Sequence, residues 1–323
     1  MNDKRSRPQA PLGSRCEVEG RSLWLHRSGE GAPAVVFLAG AGTVGLDYLL
    51  LQDRTTRLAA SVIYDRGGTG WSDPAPARRS AAAIAWELRA LLRVADVPPP
   101  YVLVGHSYGG LLARRYGQLW PEDVAGLVLL DPAHEDYDAY MPGAMRAARA
   151  GWISLLLGKA SGTALGAAVR FAPGLVERAP PVRRYRELYR TLFAAEMADW
   201  PPLVREALVE RHVSLRWLWA GIEEARTVEP LYREIRAGGG LPDVPLIIFC
   251  STMIDEFRRA VAPGEPEEQQ AEALAGQRRL YDDFAASTPR GEVRLVNCGH
   301  VTMPYRCADE IARAVEDVLA AVG

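Results

Sequence analysis

Short apolar runs separated by polar, glycine-bearing turns recur along the chain, and most are followed by a stretch with helical spacing. Residues 18–26 and 33–38 read as strands with residues 29–32 as the turn between them. The second run, Ala34-Val35-Val36-Phe37-Leu38, is apolar throughout, as a strand covered on both faces should be. Ala60-Ser61-Val62-Ile63-Tyr64, Tyr101-Val102-Leu103-Val104 and Gly126-Leu127-Val128-Leu129-Leu130 have the same character, as do residues 244–250 and 293–296. Ser80 is placed to cap a helix that carries Ile84, Leu88, Leu91 and Leu92 on one face. Further helices are expected after residue 107, over about 267–286 and over about 307–322. Strands alternating with helices predict an α/β fold: a mostly parallel central sheet, right-handed crossovers, and helices on both faces.

The alternation breaks between residues 135 and 241, where helical periodicity continues and strand signals almost vanish. Tyr185, Leu188, Leu192 and Phe193 fall on one stripe, and Val213, Leu215, Trp217, Leu218 and Trp219 crowd another. Residues 152–171 are long enough to raise the question of a membrane span, but Lys159 interrupts them and Ser, Thr and Gly dilute them, which favours a buried or interfacial helical pair. The expected organisation is a disordered leader at 1–15, a core made of 16–134 and 242–323, and an all-helical cap inserted at 135–241.

Composition narrows the function classes. A chain of 323 residues with 48% hydrophobic and 24% charged residues can bury a substantial core. A formal net charge of -2 leaves no footprint for nucleic acid or an anionic membrane. Lys4 and Lys159 are the only lysines, which with abundant Ala and Pro reads as a GC-rich bacterial genome. Cys16, Cys250, Cys298 and Cys307 have neither zinc-ligand nor redox-motif spacing, so free thiols are expected, with a Cys250–Cys298 pair as the alternative. The first residues lack the apolar stretch of a secretory signal, and a cytoplasmic protein without an integral membrane segment is expected.

The chemistry gathers at Gly105-His106-Ser107-Tyr108-Gly109-Gly110, between an apolar strand run and a helical run. Gly-x-Ser-x-Gly in that context is a nucleophile elbow, a turn so tight that small residues are required two before and two after the serine. Ser107 needs a base within hydrogen-bond reach, since a free hydroxyl is a weak nucleophile. Its place at a helix start puts the Tyr108 N–H where it can stabilise an oxyanion. The loop Ala39-Gly40-Ala41-Gly42-Thr43-Val44-Gly45 lacks the Gly-Lys-Ser/Thr ending of a phosphate loop, and its Ala41 N–H is the candidate second oxyanion donor.

With the loop from Asp65-Arg66-Gly67 to Trp71-Ser72-Asp73, and with Gly299-His300 behind the last strand, the chain resembles the α/β-hydrolase fold family over nearly all of its length outside the leader and the insertion. The resemblance implies the order Ser, acid, His, hence Ser107, an aspartate and His300. Asp255, just past the penultimate core strand, occupies the family's usual acid position; Asp131, at the preceding strand end, is the alternative. His26 and His212 read as structural or solvent-facing, His106 as pointing away from the serine, and His134 as a second candidate base. A serine at the elbow speaks against the aspartate-nucleophile epoxide hydrolases and haloalkane dehalogenases of this fold. The implied activity is hydrolysis of a carboxylic ester, lactone or thioester of a small to medium hydrophobic substrate through an acyl-enzyme, with no cofactor and no metal. Cofactor-free haloperoxidase or peptidase activity on the same triad, or a non-catalytic ligand-binding receptor, are the alternatives.

Overall fold

Eight strands form one sheet in the order β1-β2-β4-β3-β5-β6-β7-β8 in the computed structural model, which describes residues 9–75, 79–146, 173–226 and 228–322. They are β1 (Ser14–Val18), β2 (Arg21–Ser28), β3 (Ala34–Leu38), β4 (Ser61–Tyr64), β5 (Tyr101–His106), β6 (Val124–Leu130), β7 (Leu246–Ser251) and β8 (Gly291–Val296). The pairs β1/β2 and β2/β4 are antiparallel, and the rest of the sheet from β4 to β8 is parallel. Every residue of β3, β5, β6 and β7 is buried, which accounts for the unbroken apolar runs by which these strands are recognised.

Side chains alternate across the sheet and feed two separate cores. Val36, Leu103 and Ile248 face one side, where α2 (Ala81–Val94), α3 (Tyr108–Leu119) and α11 (Glu267–Ala286) supply Leu88, Leu111 and Leu280. Val35, Phe37 and Val104 face the other, against Leu51 of α1 (Leu49–Thr55) and Ile311 of α13 (Ala308–Ala320). The Ser80 cap is present, its side chain accepting a hydrogen bond from the Ala83 N–H.

Between β6 and β7 the described residues are helical: α4 (Tyr137–Tyr140), α5 (Pro173–Arg178), α6 (Pro180–Glu196), α7 (Pro202–His212), α8 (Leu215–Arg226) and α9 (Val228–Ala237). Their apolar stripes do not form a core of their own. Phe193, Met197, Val204, Leu208 and Val213 join the cluster around Phe37 and Val104, so the insertion is anchored on the sheet's own core. The helical pair expected at 152–171 lies outside the described residues. After β7 come α10 (Glu256–Val261) and, behind β8, α12 (Met303–Arg306). No helix among the described residues is long and apolar enough to cross a membrane.

Two expectations change. Residues 14 and 15, assigned to a leader, begin β1 and pair with β2, and the Leu12 carbonyl just before them accepts a hydrogen bond from the Trp24 indole. Cys298 and Cys307 form a disulfide, while Cys16 and Cys250 are free. The Cys250–Cys298 pairing fails because the two side chains belong to the cores on opposite faces of the sheet, whereas α12 folds Cys307 back onto the face that holds Cys298.

Candidate active site

The central strand β5 ends where its neighbours β3 and β6 also end, so the loops that follow all three converge at the carboxyl edge of the sheet. Ser107 stands in the turn between β5 and α3 with φ 52° and ψ -116°, a left-handed conformation that costs about 1–3 kcal/mol for a residue with a side chain. Surrounding bonds hold it there. Its N–H donates to the Leu130 carbonyl at 2.9 Å, and its carbonyl accepts from Gly110 at 3.0 Å and Ala133 at 2.9 Å. A Cβ on Gly109 would lie 1.9 Å from the Leu38 carbonyl oxygen, and one on Gly105 would lie 2.7 Å from the Gly109 oxygen, so glycine is required at both positions.

His300 arrives from the loop after β8 and completes a hydrogen-bonded row. Its Nε2 is 3.1 Å from Ser107 Oγ and its Nδ1 is 3.2 Å from Asp131 Oδ2. The carboxylate therefore selects the tautomer: Nδ1–H donates to Asp131, which leaves Nε2 free to accept the serine proton. Asp131 is itself held by the Ser251 N–H and the Gln277 side-chain amide, both donating to Oδ1, at 2.8 and 2.9 Å. The imidazole is 44% exposed and the carboxylate fully buried, so the ring opens to the cavity while water cannot reach its partner. Burial disfavours the imidazolium, but the Asp131 hydrogen bond and charge, with the Asp255 charge behind them, overcome it and raise the His300 pKa above its ordinary value.

This arrangement reverses the order of the two candidate acids. Asp255 caps α10, its Oδ1 accepting from the Arg258 N–H at 2.9 Å, while its Oδ2 accepts from the Val301 N–H at 2.7 Å. Both oxygens thus engage backbone, and Asp255 braces the loop that carries His300 without bonding its ring. The physical reason lies in the loop lengths. Asp131 follows β6 directly, whereas residues 252–254 carry Asp255 past the edge of β7 to the start of a helix.

The other histidines have defined places. His106 is buried beneath His300, with ring centroids 4.9 Å apart; its Nδ1 meets the Tyr48 hydroxyl at 2.8 Å and its Nε2 the His300 carbonyl at 2.9 Å. Burial first, then the nearby His300, push its pKa down to about 3, so it supports His300 as a neutral ring. Although it does not face the serine, it bonds the backbone of His300 and packs under its ring, contacts that the alternation of side chains on a tight turn does not reveal. His26 bonds Gln52, and His212 is fully buried against Asp47. His134 accepts from the Asp136 N–H through Nδ1, and burial lowers its pKa to about 4. With Glu135 and Asp136 it offers possible metal ligands within 4.8 Å of one another, but Glu135 is held by both terminal nitrogens of Arg114.

Tyr108 is the first residue of α3, so its N–H has no partner within the helix and points toward Ser107's side of the turn. Ala41 is exposed in the loop after β3. A cavity of about 380 Å³ opens beside Ser107 and His300, walled by Tyr137, Tyr189, Tyr232 and Phe257. Tyr189 and Tyr232 come from α6 and α9 of the insertion, so the cavity is built jointly by the insertion and the core.

A family model described as the alpha/beta hydrolase family matches residues 35–314, from the first core strand of the parallel sheet into the last helix. The chain belongs to this family. YqjL of Bacillus subtilis (strain 168) is 39% identical over 111 residues, 34% of this chain and 44% of that protein. A putative carbamate hydrolase, RutD of Cronobacter sakazakii (strain ATCC BAA-894), is 35% identical over 102 residues, 31% of this chain and 38% of that protein. Each match therefore covers less than half of the relative. Among solved structures, Est816, an N-acyl homoserine lactone degrading enzyme, aligns over 94% of this chain and 99% of its own with a TM-score of 0.57 and 18% identity. The epoxide hydrolase CorEH aligns over 96% and 98% with a TM-score of 0.64 and 15% identity. At such identities the two α/β-hydrolase neighbours share the fold with this chain, and the chemistry has to be argued from its own side chains.

Proposed function

We propose that the chain is a serine hydrolase that cleaves a carboxylic ester, or a lactone or thioester, through an acyl-enzyme. The observation that carries this reading is the row from Asp131 Oδ2 through the His300 ring to Ser107 Oγ, with contacts of 3.2 and 3.1 Å. Ser107 Oγ attacks the substrate carbonyl carbon as its proton passes to His300 Nε2, and Asp131 stabilises the resulting imidazolium. The carbonyl oxygen becomes an oxyanion held by the Tyr108 and Ala41 N–H groups. Collapse of the tetrahedral intermediate breaks the bond to the leaving oxygen, or to sulfur in a thioester, which takes the proton from His300. Water, activated by the same imidazole, then releases the acid and restores the serine.

The fold would equally seat an aspartate nucleophile, but a serine occupies the elbow, which favours acyl transfer over epoxide opening. The aromatic walls of a cavity of about 380 Å³ favour a small to medium apolar or aromatic group. In this reading the helices between β6 and β7 act as a cap that closes the cavity. Amides and carbamates, the latter prompted by the name of RutD, pass through the same kind of intermediate and belong in the substrate panel.

A fluorophosphonate probe is expected to label the wild type and not Ser107→Ala, and the wild type is expected to hydrolyse short- to medium-chain p-nitrophenyl esters. Absence of labelling in a folded wild type, or equal labelling of Ser107→Ala, would overturn the proposal.

A further inference from the structure

The loop that offers the Ala41 N–H is gripped by a side chain of the helical insertion. Glu224, on α8, lies 182 residues beyond Gly42 in sequence, yet its Oε2 accepts the Gly42 N–H at 2.8 Å. Its Oε1 accepts from Arg66 Nε at 3.1 Å and Nη2 at 2.8 Å. Arg66, buried to 2% exposure, turns the rest of its guanidinium on the same loop: Nη1 donates to the Ala39 carbonyl at 2.5 Å and Nη2 to the Gly40 carbonyl at 2.9 Å. The Gly40 carbonyl also accepts from the Thr43 N–H at 3.3 Å and the Thr43 hydroxyl at 3.1 Å.

The Gly40 carbonyl and the Ala41 N–H belong to one peptide unit. In a trans peptide the two groups point in opposite directions, so fixing the carbonyl fixes the aim of the N–H. A guanidinium on the carbonyl oxygen also polarises the unit and makes its N–H a stronger donor. Glu224 holds Arg66 in that position and secures the next N–H, at Gly42, so both sides of Ala41 are fixed. The Arg66 charge offsets that of Glu224, so the carboxylate does not oppose a developing oxyanion.

Backbone contact closes the same joint. Gly42 has φ +68°, and a Cβ on Gly221 would come within 3.2 Å of the Gly42 Cα, so α8 sits directly on the loop. At the far end of the loop the Val44 N–H donates to Asp47 at 2.8 Å, and Asp47 in turn meets His212 of α7 at 2.6 Å. The insertion thus holds the loop at both ends.

Granted the acyl-transfer reading above, we infer that Glu224 is a positioning residue for that reaction: through Arg66 and Gly42 it aims the Ala41 N–H, so that the oxyanion site is complete only when α8 is docked. The substrate cavity lies elsewhere along the insertion, so the effect belongs to the transition state and not to substrate capture. Glu224→Ala is expected to lower kcat for a p-nitrophenyl ester by about 10- to 100-fold, somewhat less than outright loss of one oxyanion donor, with KM changed by less than about threefold. The inhibition constant of an alkylboronic acid, whose tetrahedral adduct on Ser107 uses the same donors, should rise by a similar factor, while that of the product alcohol stays put. Gly221→Val, which wedges α8 off the loop and keeps the carboxylate, should reproduce this pattern and serves if Glu224→Ala does not fold.

A kcat within twofold of wild type for both variants would overturn the inference, as would a loss confined to KM. Fluorophosphonate labelling of the wild type separates the two proposals: a labelled, active wild type with indifferent variants leaves the hydrolase reading in place and removes the role of Glu224. An unlabelled wild type removes both.

Discussion

Two carboxylates stand close to His300, and their hydrogen bonds divide the work between them. Asp131 is expected to set the tautomer, so Asp131→Asn should lower kcat/KM by about 10³- to 10⁴-fold in a protein that still folds. Asp255→Asn keeps an oxygen to cap α10 but sets an amide N–H against the Val301 N–H; it should keep activity within about tenfold and lower stability by about 1–3 kcal/mol, the cost of an unsatisfied donor, read from the urea midpoint. The pH dependence follows from the same row of bonds. The proposed mechanism needs a neutral His300, and its pKa is raised above 6.5 by the Asp131 bond and charge despite burial. Activity should therefore climb with pH, with a kcat/KM midpoint above 6.5 that falls when Asp131 becomes asparagine. The places of Ser107 in the elbow and of His300 behind the last strand were legible residue by residue, because a serine between glycines and a histidine behind a glycine mark themselves locally. Which aspartate bonds the His300 ring was not, because a carboxylate at a strand end looks the same in sequence whichever groups its oxygens meet.

The element that makes the site is the β5-turn-α3 unit, and its tolerance for change is set by backbone approach. A methyl group at Gly109 would occupy space within 1.9 Å of the Leu38 carbonyl oxygen, so Gly109→Ala should abolish soluble folded protein or lower its melting temperature steeply, as thermal denaturation would show. The elbow was readable in advance because its steric demand is local and its flanking strand and helix have distinct periods. The support beneath His300 was not. His106 acts through Tyr48 and the His300 carbonyl, two groups from other elements. The free-thiol expectation failed at this scale as well, since the partner of Cys298 was decided by how α12 folds back from β8.

Across the whole molecule, the insertion and the core are joined by buried polar contacts, of which His212 with Asp47 is fully enclosed. Asp47 also accepts from the Tyr305 hydroxyl at 2.8 Å, so the contact links the insertion, the loop after β3 and the segment after His300. His212→Ala would leave a buried carboxylate short of a partner and should cost about 3 kcal/mol, visible as a lower urea midpoint, with fluorophosphonate labelling retained below it. Sequence reasoning placed His212 among structural or solvent-facing residues; that it is structural, and what it touches, depended on the docking of α7. By itself the amino-acid order determined the alternating α/β architecture, the helical character of the described insertion, the elbow, and the residues at its apex and behind the last strand. Each of these is written in periods and steric limits that act over a few residues. Only the tertiary structure decided which aspartate meets His300, which cysteines join, and that a glutamate from the insertion grips the loop beside Ser107. Those contacts arise between segments more than a hundred residues apart or across a fold-back, where strand order and helix docking, not local pattern, set which side chains come within reach.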